Sequence, residues 1–128
     1  MLVAAHKAKM LKLSTLLIVL ALPIVSACTE GSTSSGAPEA PTMLTAEVLS
    51  GGAHLVWKDN SDNETQFMIM RMEVGGAGDY TQVASPPFDT STYHDAPLTA
   101  GKTYMYMVMA MNDTGESQPS NEVMIAIP

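Results

Sequence analysis

Seven short runs of alternating polarity, each closed off by turn residues, set the tightest limit on what this chain can fold into. They are MLTAEVL (43–49), HLVWK (54–58), FMIMRME (67–73), DYTQVA (79–84), TSTYHD (90–95), TYMYMVMAM (103–111) and EVMIAI (122–127). Between them lie Gly51-Gly52, the DNSDNET loop, Gly75 to Gly78, Pro86-Pro87, Ala100-Gly101, NDTGES and Pro119. Period-2 runs of this length, separated by Gly, Pro, Asn and Asp, are strands, because successive side chains of a strand point to opposite faces. No stretch after residue 28 carries a helical period. The reading is all-β: a seven-stranded antiparallel β-sandwich over residues 42–128.

Parity assigns the faces. Leu55 and Trp57 share one, as do Phe67 and Ile69, and as do Tyr104, Tyr106, Val108 and Ala110, so these are expected in the core. Leu55-Val56-Trp57, Phe67 to Arg71, Leu98 to Tyr104, Val108 to Asn112, and Gly115 with Ser117 together resemble a fibronectin type III domain. The Trp57 to Phe67 stretch, W-x-D-N-S…E-x-x-F, is similar to bacterial members. The resemblance covers residues 41–128 and implies an immunoglobulin-like sandwich with Leu55, Trp57, Phe67, Ile69, Leu98, Tyr104, Val108 and Ala110 in its core. It also implies a tyrosine corner in which the Tyr104 hydroxyl reaches back to backbone near Leu98.

If those residues point inward, Met68, Met70, Met72, Met105, Met107, Met109 and Met111 point outward. The resemblance makes their two strands neighbours, so all seven would share one outer face. Methionine is not a favoured strand residue. One reading is an outer face whose flexible thioethers cover one another and bind nothing. A second is a contact surface for an unknown protein or for a second copy of this chain, since methionine adapts to varied partners. A third is capture of Cu(I) or Ag(I), for which thioethers are soft ligands. A sink for oxidants is a fourth.

The N-terminus is a separate object. Lys7, Lys9 and Lys12 precede an apolar run, Leu13 to Ala27, too short to span a bilayer and suited to a signal peptide over 1–27. Met10 is an alternative start. Val25-Ser26-Ala27-Cys28 resembles a bacterial lipobox, which implies cleavage before Cys28, lipidation of that residue, and a membrane held through the lipid. Thr29 in the next position implies the outer membrane. Ordinary cleavage after Ala27, giving a secreted protein, fits the same small residues. Residues 28–41 read as a flexible linker, rich in Ser, Gly and Pro. Cys28 is the only cysteine of the 128 residues, which excludes an intramolecular disulfide.

After Cys28 three basic residues, Lys58, Arg71 and Lys102, face all 13 acidic ones, a formal charge of −10. Such a surface repels nucleic acid, so none is expected as a partner. No nucleophile–base pattern, phosphate loop or HExxH occurs, and no enzyme activity or cofactor is expected. The DNSDNET loop fails as an EF-hand: counting from Asp59, the sixth and twelfth positions are Glu64 and Met70. Its Asp59, Asn60 and Asp62 are expected to make turn bonds, and no metal site is assigned. The carboxylates read as scattered over loops. His54 and His94 read as an exposed pair on adjacent strands, short of the ligands a zinc site needs. The sequence therefore points to a non-catalytic, lipid-anchored envelope module that binds protein or acts as a spacer, with a soft-metal protein as the alternative.

Overall fold

The computed structural model describes residues 36–128. The expected signal peptide (1–27), Cys28 and the first part of the expected linker lie outside the described residues. Eight strands follow: β1 (Thr42–Leu49), β2 (Gly52–Lys58), β3 (Gln66–Glu73), β4 (Thr81–Ala84), β5 (Thr92–Asp95), β6 (Thr103–Asn112), β7 (Gly115–Glu116) and β8 (Val123–Ala126). They form two antiparallel sheets. One has the order β1-β2-β5, and the other runs β4-β3-β6 with β7 and β8 both on the far edge of β6.

The difference from the expected seven strands lies at the end of the chain. Gly115–Glu116 and Val123–Ala126 pair with successive parts of β6, and the gap between them holds Pro119, which has no N–H to give to a ladder. Two serines bridge the gap. The Val108 N–H donates to the Ser120 hydroxyl at 3.0 Å and the Ala110 N–H to the Ser117 hydroxyl at 2.9 Å. The N–H groups of Ser117 and Ser120 donate to the carbonyls of Ala110 and Val108. Pairing of β6 thus continues where a strand partner fails, as buried amides require.

The first hairpin is tight. Leu49 pairs with Gly52 across Ser50 and Gly51, whose φ values of 47° and 75° are those of a two-residue type I′ turn. Gly52 is needed for a different reason: a Cβ there would lie 2.3 Å from the Asp95 carbonyl oxygen. β1 carries a bulge between Thr42 and Thr45, and Met43 takes a positive φ of 56° there. Asn121 spans that bulge, accepting from the Leu44 N–H and donating to the Leu44 carbonyl, both at 2.9 Å. This ties the edge of one sheet to the approach to β8 in the other.

Between the sheets Leu44, Leu55, Trp57, Phe67, Ile69, Tyr104, Tyr106, Val108, Ala110, Ile125 and Ile127 form one buried cluster, with Leu98 half-buried against it. Trp57 and Phe67 meet edge to face, their centroids 5.5 Å apart. The Tyr104 hydroxyl accepts from the Thr99 N–H at 3.4 Å, next to Leu98. Residues 36–41, read from composition as the end of a flexible linker, lie against the domain. The Gly36 carbonyl accepts from Asn63 and Asn112, the Ala40 carbonyl accepts from Asn60, and Pro38 and Pro41 are buried.

Candidate binding surface

The register of β3 on β6 turns the methionine pattern into a ladder. Met68 stands opposite Met109, Met70 opposite Met107 and Met72 opposite Met105. Met124 of β8 stands opposite Met105 on the other side, so one row holds methionines from three adjacent strands. At the other end Gln66 faces Met111 and donates its amide N–H to that sulfur at 2.8 Å. Directly opposed Cβ atoms of antiparallel strands are about 5 Å apart, so the methionines of each rung stand side by side. The ladder uses eight methionines, one more than parity on the two long strands gives; Met124 was legible only once β8 had a register.

The face is not uniformly open. Met70, Met72, Met105, Met107, Met109 and Met111 are half-buried, whereas Met124 is 66% exposed. Met68, expected on the same footing as the others, is only 8% exposed. It is absent from the cluster between the sheets, so its cover lies on the outer side. A strap crosses the other half of the ladder. Gln82 of β4 is opposite Met70, which puts Tyr80 on the same outer face. The Tyr80 hydroxyl donates to a Glu122 carboxylate oxygen at 2.8 Å, and Glu122 immediately precedes β8 on the opposite side of β6. A bond between those two sides has to pass over β3 and β6 on the ladder's side of the sheet. Burial there, with the Glu122 carboxylate next in weight, pushes the Tyr80 hydroxyl up to about 12.

Parity also hides a charge inside. Arg71 shares the inward face of β3 with Phe67 and Ile69. It donates to Asp95 Oδ2 at 2.7 Å, and the same oxygen accepts from the fully buried Tyr106 hydroxyl at 2.7 Å. The guanidinium carbon sits 5.4 Å from the Tyr104 ring centroid. Burial opposes the Arg71 charge, and the Asp95 bond and field outweigh it, holding the guanidinium above its ordinary range. Burial and the Asp95 acceptor push the Tyr106 hydroxyl far up, so it stays a donor. This triad joins the two sheets. Arg71 also lines a cavity of about 580 Å³, together with Glu73, Asp79, Thr81, Thr99 and Tyr104.

The carboxylates are less scattered than the sequence reading held. Ligand atoms of Asp59, Glu64 and Asp89 lie within 4.8 Å of one another. Asp89 reaches the group because Gln66 bridges Pro87 and the Phe88 N–H bonds to the Thr65 carbonyl. The expected turn bond is present as well, from the Ser61 N–H to Asp59 Oδ1 at 3.1 Å. Oxygens so placed could hold a hard cation, but those of Glu64 are already engaged by the Ser61 hydroxyl at 2.8 Å and the Asp89 N–H at 3.4 Å. Burial pushes the Asp59 carboxyl up, with the Glu64 charge adding to it. Burial acts upward on Glu64 too, but the hydrogen bonds from Ser61 and the backbone prevail and hold it low. On the small sheet His54 and His94 are paired, with ring centroids 6.1 Å apart.

No protein-family model matches the chain. An amylopullulanase of Thermoanaerobacterium thermosulfurigenes is 37% identical over 93 residues, 72% of this chain and 5% of that enzyme. The chain therefore spans a small fraction of the curated relative it matches. A fibronectin type III-like protein from Clostridium thermocellum superposes with a TM-score of 0.58 at 28% identity, covering 73% of this chain and 96% of that one. The fibronectin type III domain of human collagen XX superposes with a TM-score of 0.59 at 16% identity, covering 68% and 88%. Strand order, core and these likenesses agree: the described residues have the fold of a fibronectin type III domain.

Proposed function

We propose that the chain is a non-catalytic module of the bacterial cell envelope, held to a membrane by lipid on Cys28, and that it binds protein through the methionine ladder. The observation that carries the reading is the ladder itself, eight thioether side chains in register on the outer face of the large sheet. An outer face with no partner has no need of so many flexible apolar side chains, whereas a contact surface gains from their ability to repack. The likeness to a small part of an amylopullulanase supports an accessory domain, spacing or contacting other components, over a catalytic one. For the anchor, Val25-Ser26-Ala27-Cys28 is the support, and the outer membrane is the expected address. Two or three acyl chains, at about 0.8 kcal/mol per buried methylene, would make the attachment effectively permanent.

Two experiments test it. Cells grown with a clickable fatty acid should label the protein, and Cys28→Ala should abolish the label; labelling that survives the substitution, or none in the native chain, contradicts the anchor. Replacing Met70 and Met107 by Lys should remove co-purifying protein from gently cross-linked cells while the domain stays folded. Unchanged partners would contradict the contact surface.

A second reading has a specific observation behind it. Met70, Met72, Met105 and Met107 occupy the corners of a rectangle about 5 by 7 Å, small enough for several thioethers to converge on one Cu(I) or Ag(I). Anaerobic Cu(I) titration followed by mass spectrometry separates the two: a tight stoichiometric ion, lost when Met70 and Met107 become Leu, supports the metal reading. No uptake at micromolar Cu(I) removes it.

A further inference from the structure

The outer face of the small sheet holds a row the sequence could not assemble. Glu47 of β1 is opposite His54 of β2, and His54 is opposite His94 of β5. Leu55 and Leu44 fix the inward faces of β2 and β1, so all three of these side chains project outward. Glu47 and His94 are exposed and His54 is half-buried between them. The two imidazole centroids are 6.1 Å apart and the rings are inclined at 42°. His54 Nδ1 is out of water with no hydrogen-bond partner.

We infer that Glu47, His54 and His94 form a binding site for a divalent transition cation, Zn²⁺ above all. Two imidazoles and a carboxylate are a ligand set that such ions take with an open position left for water. Neighbouring members of the row stand about 5 Å apart, so an ion shared by all three sits over the central histidine. That residue must then ligate through the nitrogen nearer its own backbone, and this is the one left without a partner. The ligand atoms of the three do not lie within 4.8 Å of one another in this structure, so His94, through its outer nitrogen, and Glu47, from the opposite side, would swing in to meet the ion. The imidazoles need only close by rotamer adjustment, since two rings on one ion have centroids about 5 to 6 Å apart. The strong negative charge of the chain draws cations to the surface. The site is independent of the methionine ladder, which lies on the other sheet.

The test uses the full chain in detergent, carrying Cys28→Ser so that no thiol competes. ZnCl₂ is titrated by calorimetry and by NMR of the histidine rings. The expected result is one Zn²⁺ per chain, with signals of His54 and His94 shifting together. His54→Ala and His94→Ala should each weaken binding at least tenfold, Glu47→Gln should weaken it less, and His6→Ala should leave it unchanged. Thermal melts of the variants without zinc check that each is folded. Binding that survives His54→Ala, or no binding with Zn²⁺ raised to about 100 µM, overturns the inference.

Discussion

The two faces of the large sheet are both apolar, yet they behave as opposites. On β6 the inward positions Tyr104, Tyr106, Val108 and Ala110 are buried, and the outward Met105, Met107, Met109 and Met111 are half-open. Polarity does not separate them. Shape does. The inner face uses residues with few rotamers, packed to fill a fixed space, and its buried hydroxyls have fixed partners. The outer face uses the most flexible of the apolar side chains, under a single strap from Tyr80 to Glu122. The small sheet differs again, with Glu47, His54, Val56 and His94 outside. A strand with two apolar faces therefore need not carry two cores: on β6 one face is packed and the other is half-open.

The contrast can be broken most forcefully from the inside. Phe67→Ala removes a fully buried ring, and urea unfolding should show a loss of about 3 to 5 kcal/mol. Met107→Ala on the outer face should cost about 1 kcal/mol or less. Equal losses would mean the outer face is packed like a core.

The inter-sheet triad is next in size. Asp95→Ala strands the Tyr106 hydroxyl and leaves Arg71 unpaired, and should cost about 2 to 3 kcal/mol. Arg71 keeps 29% side-chain exposure, which holds the figure below that of a fully enclosed pair. Adding Arg71→Leu and Tyr106→Phe should recover a large part of the loss, because no polar group then remains unpaired.

A smaller effect sharpens the account of the acidic loop. The Asp59 carboxyl is held above its usual range, so its charge costs stability once pH rises through that range, and costs nothing when it is protonated. Asp59→Asn keeps the acceptor for Ser61 and should stabilise by under about 1 kcal/mol at pH 7, with no gain at pH 3. Glu64, held low, behaves in the opposite way: its contribution is present at pH 7 and is lost as pH falls through its lowered value. Denaturant melts of Asp59→Asn and Glu64→Gln at both pH values check the two signs. Smallest of all, Tyr80→Phe removes one exposed hydrogen bond, should cost about 0.5 kcal/mol, and should abolish a tyrosine titration near 12.

Much of this was legible in the residues. The strands, the inward parity of Leu55, Trp57, Phe67, Ile69, Val108 and Ala110, and the common face of seven methionines follow from period 2 and a family topology. Arg71 carried a signal too: a charge at an inward parity must find a partner. What it could not reveal was that partner, since Asp95 lies 24 positions away on the other sheet. Register was invisible in the same way. Without it Met124 was one more apolar residue, Glu47 had no tie to His54, and Asp89 had no reason to meet Glu64. The split of the last strand had a local cause in Pro119, but its repair by Ser117 and Ser120 depends on where β6 runs.

The central claim is that the ladder face meets a partner while the small-sheet face does not. A photoreactive residue placed at position 107, and separately at position 56, in the full chain in living cells tests it directly. The account predicts a discrete cross-linked species from position 107 and none from position 56. The same species from both positions, or from position 56 alone, would contradict it.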